Sequence, residues 1–166
     1  RSSDLSGIVR DAFARKGFNA VSCDLLGTDA PGAHYKGDIF EYLEGLSLIG
    51  VQVKCLIAHP PCTYLSNSGV TWLHKDKSRW GDMQEGAEFF KRLWRLPIAK
   101  KCIENPIMHK YAREIVGDKY SQIVQPWMFG HTEQKATCLW LDGLPNLTPT
   151  NIVKDEMMAL PARERQ

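Results

Sequence analysis

Apolar positions along the chain switch between a three-to-four-residue rhythm and short continuous runs, and the switches predict the elements. Over 6–18, Ile8, Val9, Ala12 and Phe13 lie on one stripe that Gly17 closes, which predicts an amphipathic helix. The run 19–26 predicts a short strand ending in Asp24, and 27–37 is a Gly/Pro loop. A short helix is expected over 38–46 and a buried strand over 51–59, stopped by Pro60 and Pro61. Residues 69–82 read as a loop. The strongest helix is 82–96, where Met83, Ala87, Phe90 and Trp94 share a face and Asp82 with Glu85 makes a capping box. Beyond it come a strand over 100–105 cut by Pro106, a helix over 108–117 stopped by Gly117, and strands over 121–127 and 136–141. A short helix is expected over 154–160.

Strands that alternate with helices predict an α/β fold: a mostly parallel sheet with helices on both faces, closed by a terminal antiparallel strand pair. In such sheets ligands sit beyond the carboxyl ends of strands. Asp24, Asp38, Pro60 to Cys62, and Glu104 with Asn105 all fall at or just past such ends. That convergence marks one rim as the expected site.

Composition narrows the class. The 166 residues are one domain's worth, 43% hydrophobic and 24% charged, which is an ordinary globular balance. A formal net charge of +2 does not by itself point to nucleic acid, so any basic footprint must be local. No apolar run has the length of a membrane span. Five cysteines without a C-x-x-C pair argue against zinc and against a disulfide framework. A reducing, cytosolic setting is expected from the cysteines. The chain starts at Arg1 with a helix almost at once and stops without a closing element, so 1–166 is expected to be a single domain incomplete at one or both ends.

Cys62 follows two prolines, each of which fixes φ and donates no N–H, so it sits on a stiff edge. A nucleophile needs such placement, because small displacements cost rate. Cys23, Cys55, Cys102 and Cys138 lie inside apolar strands and read as small buried hydrophobes. Glu104, at a strand end before Asn105 and Pro106, suits proton donation or a hydrogen bond to a ring nitrogen. Residues 69–82 interleave Trp72, His74, Lys75, Lys77, Arg79 and Trp80, a mix that can track phosphates and stack on bases or simply pack on the core. Tyr64 could stack on a base or pack. His109 and Lys110 read as surface at a helix start, and His131 as a loop residue facing the rim.

Taken in order, "PPCTYLSNSG" (60–69), "ENP" (104–106) and "FGHTEQKATCLWL" (129–141) resemble three motifs of the DNA (cytosine-5) methyltransferases, and of their short phage-type members most. "DLSGIVRDAF" (4–13), Asp24 and "GDI" (37–39) resemble the cofactor-binding motifs of the same family. The resemblance covers residues 4–141. It implies a Rossmann-like S-adenosylmethionine-dependent methyltransferase fold acting on cytosine in DNA, with no metal and no membrane, in the cytosol of a bacterium or of a phage-infected host. It further implies that the Cys62 thiolate adds to cytosine C6, that Glu104 holds or protonates N3, and that C5 takes the methyl group. Asp4, Ser6, Gly7, Asp24, Asp38 and Pro60 would bind the cofactor. Pro61, Thr63, the serine that follows Leu65 (Ser66), Asn105, Gln134 and Lys135 would bind the substrate, with Lys75, Lys77 and Arg79 on the DNA.

The chain also departs from the family. Where the family's Gln-x-Arg-x-Arg segment has arginines, Ala136 and Cys138 stand here, with Lys135 the nearby cation. Thr63 stands for a usual Gln, His59 for a common Gly and Val9 for a glycine. The 25 residues after Leu141 leave no room for a separate target-recognition domain. Three alternatives stay open: a free nucleotide as acceptor, an exocyclic amine as acceptor, and a non-catalytic nucleic-acid-binding or anti-restriction relative.

Overall fold

A computed structural model describes residues 6–165, so Asp4 lies outside the described residues. The chain divides into two compact units, Arg1–Lys54 and Cys55–Gln166.

The first unit runs α1 (Ile8–Arg15), β1 (Ser22–Asp24), β2 (His34–Lys36) and α2 (Ile39–Leu48). β1 and β2 pair in parallel, with Ser22 opposite His34 and Asp24 opposite Lys36. β2 corrects the expected loop over 27–37: three residues are too few to show a period, and only the pairing reveals them. The His34 ring ties the pair to the following turn, through Nδ1 to Ser22 Oγ at 3.0 Å and Nε2 to the Leu26 carbonyl at 2.9 Å. On α1 the expected apolar stripe is not the face this unit buries. Ile8 is 68% exposed, while Arg10 is buried. Its guanidinium reaches Asp11 Oδ1 at 2.8 Å, Ser22 Oγ at 3.2 Å and the Pro31 carbonyl at 2.5 Å, so a charge satisfied by three partners organises the unit.

The second unit runs β3 (Cys55–Ala58), α3 (Val70–Lys75), α4 (Arg79–Trp94), β4 (Lys100–Pro106), α5 (Lys110–Val116), β5 (Gln122–Val124), β6 (Thr137–Asp142) and α6 (Lys154–Ala159). Its four-stranded sheet has the order β3-β4-β6-β5. β3 and β4 are parallel, whereas β6 is antiparallel to both β4 and β5. The sheet is therefore mixed, which corrects the mostly parallel one expected. The strand directions follow from the connections: α3 with α4, and then α5, return the chain so that β3, β4 and β5 point the same way. The insertion of the reversed β6 between β4 and β5 is what leaves a single parallel pairing in this sheet. The antiparallel pair expected of the last two strands is present as β5 and β6, with β6 antiparallel to β4 as well.

α3 corrects the loop reading of 69–82, and α4 begins three residues before the expected capping box, with Asp82 in its first turn. The core holds Phe90, Ile103 and Trp140, all at most 1% exposed. Phe90 meets Trp140 edge to face at 4.8 Å, so α4 packs on the face of β6 that Ile103 shares across the register. No helix of the described residues is long and apolar enough to cross a membrane.

Candidate active site

The site begins where β3 ends. Ala58 pairs with Ile103, so the next residue, His59, comes level with Glu104 on the parallel neighbour. Their side chains meet: His59 Nδ1 lies 3.2 Å from Glu104 Oε2. Both are partly exposed, at 32% and 22% of the side chain. No described residue bonds the other carboxylate oxygen of Glu104.

Pro60 is buried and Pro61 exposed. The Asn105 amide donates to the Pro60 carbonyl at 3.2 Å from a fully buried position. Asn105 Oδ1 has no partner in the structure, so this residue commits its one good bond to the loop. With no exposed surface, what Asn105 offers the site is the placement of Pro60. A turn closes straight after Cys62, whose carbonyl accepts from the Leu65 and Ser66 amides, both at 3.0 Å. The Cys62 side chain is half-buried and Thr63 exposed. Gly69 passes so close to this turn that an added Cβ would lie 3.1 Å from the Thr63 carbonyl oxygen. Cys62 thus lies just past the end of β3, and Glu104 sits near the end of its parallel neighbour β4.

The other cysteines are held protonated. Burial pushes Cys102 up to about 11, helped by the neighbouring Cys55 and Glu104 charges, and pushes Cys138 to about 11, helped by Glu104. Burial raises Cys23 to about 11, with Asp24 and Asp38 adding to it, and also raises Cys55 against the opposing pull of Lys100. At pH 8 a thiol titrating near 11 is about one-thousandth thiolate, and only thiolate reacts. Alkylation of Cys23, Cys102 and Cys138 is therefore expected to be slow at pH 8 and to speed up as the pH is raised towards 11. Peptide mapping checks this, and labelling of Cys102 at pH 8 as fast as a free thiol in a short peptide would contradict it.

Two residues that the sequence reading did not place in the site belong to its frame. His59 partners Glu104, which only the register of β3 on β4 could disclose. His109, expected on the surface, is 2% exposed and bonds the Tyr64 carbonyl through Nε2 at 2.8 Å.

The basic stretch divides. Lys75 lies over the Trp72 ring at 4.8 Å on the exposed side of α3, and Lys77 is exposed. Arg79 instead stacks over the Tyr64 ring at 4.7 Å, with Nε buried and without a partner, so it packs the cysteine turn. Gln134 and Lys135 are exposed on the loop before β6. Gln134 lines a cleft of about 390 Å³ with Gln125, Ala136, Ala162 and Arg165, and its backbone N–H donates to the Arg165 carbonyl at 2.6 Å. His131 is exposed, and its backbone amide bonds Pro126.

In the first unit, Asp38 caps α2 by accepting the Phe40 and Glu41 amides on Oδ1, and Asp24 Oδ1 accepts the Leu26 amide at 2.8 Å. No described residue bonds the second oxygen of either carboxylate. Ser6 is exposed. Gly7 is buried at φ 69, where a Cβ would run into the Arg10 guanidinium, so glycine is required there.

No family model and no curated protein matches the chain. Among solved structures it is similar to a candidate DNA modification methyltransferase encoded within an E. coli prophage, at 17% identity and a TM-score of 0.50. The match covers 90% of this chain and 51% of that one, so the chain spans about half the length of the solved structure. The likeness is one of fold: a mixed α/β arrangement similar to that of a methyltransferase.

Proposed function

We propose that this chain carries methyl transfer to C5 of cytosine in DNA, through a covalent adduct at Cys62. The observation that supports it most is the placement of two groups: Cys62 on a turn built directly on two prolines past the end of β3, and Glu104 on the parallel neighbour β4 with one carboxylate oxygen that no described residue bonds. The thiolate of Cys62 forms a bond to C6 of the ring, and Glu104 delivers a proton to N3. The electron pair released into the ring makes C5 nucleophilic, which it is not in free cytosine. S-adenosylmethionine, when bound, supplies the methyl group. Loss of the C5 proton to solvent then expels the Cys62 thiolate, N3 gives its proton back to Glu104, and the ring is restored. The target base must be extruded from a duplex or already unpaired.

The uncommitted oxygens of Asp24 and Asp38 suit the cofactor, because ribose hydroxyls and an adenine amine need acceptors. Pro61, Thr63 and Ser66 edge the turn that would face the base, and Gln134 and Lys135 would contact the substrate from the loop before β6.

The test is a single-stranded or duplex oligonucleotide carrying 5-fluorocytosine, incubated with S-adenosylmethionine and read by intact mass. Fluorine at C5 blocks the elimination, so attack leaves a stable adduct. An adduct with the oligonucleotide is expected. Binding of the cofactor without any adduct would sink the cytosine-5 reading, and an adduct with free fluorinated nucleotide alone would move the acceptor away from DNA.

Lys75 and Lys77 are the exposed cations of the basic stretch that can meet phosphate. Replacing both by glutamine is expected to weaken DNA binding and to lower the slope of log affinity against log salt by about 1 to 2. An unchanged slope in a fluorescence anisotropy titration would return them to the solvated surface.

A further inference from the structure

The two nitrogens of the buried His109 ring face partners of opposite kind. The Ala112 backbone N–H lies 3.2 Å from Nδ1, which must accept, and the Tyr64 carbonyl oxygen lies 2.8 Å from Nε2, which must donate. Only the neutral ring with its proton on Nε2 satisfies both. The first bond caps α5 and is local. The second reaches back 45 positions to the turn that carries Cys62.

The backbone runs beside it. The His109 amide donates to the Leu65 carbonyl at 3.0 Å, the Asn67 amide donates to the Ile107 carbonyl at 2.8 Å, and Ser66 pairs with Met108 in an antiparallel bridge. The Leu65 and Ser66 amides in turn bond the Cys62 carbonyl. The segment after β4 therefore holds the cysteine turn as a strand edge would, and the imidazole adds a side-chain bond to Tyr64.

We propose that His109 is a positioning residue for Cys62: through the Nε2 bond to Tyr64 it holds the turn that aims the thiol, separately from its capping of α5. The reaction-rate part of this rests on the function proposed above. The bond is made to the backbone of residue 64, so it fixes the turn whatever side chain stands there. A misplaced nucleophile loses rate steeply, so losing this bond should slow attack while leaving substrate affinity largely intact.

The two roles separate by substitution. In His109→Asn the side-chain oxygen can still accept near the Nδ1 position, but nothing reaches Tyr64. In His109→Gln an N–H remains near the Nε2 position, and the cap is lost. His109→Asn is expected to slow formation of the 5-fluorocytosine adduct by about tenfold or more, with oligonucleotide KM little changed. It should also speed deuterium uptake at the Leu65 and Ser66 amides. His109→Gln is expected to melt earlier yet to recover most of the adduct rate and the amide protection. An Asn variant with native adduct rate and native uptake would reduce His109 to a helix cap and overturn the proposal. If the native protein forms no adduct, the methylation reading fails on its own, and uptake over 62–66 still decides the clamp. If neither variant folds, long-range 1H–15N spectra of the native protein decide: a ring protonated on Nε2 alone supports the clamp, and a proton on Nδ1 refutes it.

Discussion

Cys62→Ala is expected to abolish methyl transfer, not merely to slow it. Without a thiolate on C6 the ring never gains the electron pair that makes C5 reactive, and the hydroxyls of Thr63 and Ser66 on the same turn are far weaker nucleophiles than a thiolate. The loss should be on the order of a thousandfold or more, which corresponds to about 4 kcal/mol or more of transition-state stabilisation. The fold should tolerate the change. The turn is made by the backbone carbonyl of Cys62, which accepts from Leu65 and Ser66, and alanine keeps that carbonyl. The side chain is only half-buried, so the cost in stability should stay near ~1 kcal/mol or below. Transfer of labelled methyl, intact mass with the fluorinated oligonucleotide and a melting curve together check the prediction. A well-folded alanine variant that still methylates would remove Cys62 from the chemistry.

The parts of this site that could be read from the sequence are those with local causes. Pro60 and Pro61 end β3 and stiffen the turn beyond it, however the rest of the chain folds. Gly117, at φ 83, stops α5 for a reason confined to its own residue. Strand directions were also within reach, because crossover helices set them. Strand order was not: that β6 enters between β4 and β5 depends on long-range pairing, and it turned an expected parallel sheet into a mixed one. The same limit hid the contact of His59 with Glu104, since His59 announces itself only as the first polar group past β3 and Glu104 only as a polar group near the end of β4. β2 escaped because His34–Lys36 is shorter than any period. His109 escaped because histidine is not a residue that cap preferences single out, so a buried imidazole serving both α5 and the cysteine turn looked like solvent-facing polarity. Arg79 carries a packing contact that its charge did not announce: its guanidinium lies over the Tyr64 ring.

Glu104→Gln is expected to lower turnover by about a hundredfold or more while leaving oligonucleotide KM close to native. The substitution conserves shape. The amide oxygen can still meet the His59 ring, which lies 3.2 Å from Oε2, and the amide N–H can still donate to the cytosine N3. What glutamine cannot do is give up a proton, so it can hold the base without driving electrons into the ring. Glu104→Ala should fall further, because it loses the hydrogen bond as well and leaves the His59 ring without its carboxylate. The expected order of adduct rates is therefore glutamate above glutamine above alanine. His59→Gln should cost less than either substitution at Glu104, since it changes the orientation of the carboxylate and not the group that touches the base. A glutamine variant working at the native rate would show that Glu104 only binds. Glutamine equal to alanine would show that the hydrogen bond to the base contributes nothing and proton delivery everything. Either result would divide the work of this carboxylate between holding and protonating N3, which the uncommitted oxygen of Glu104 leaves it equipped to do.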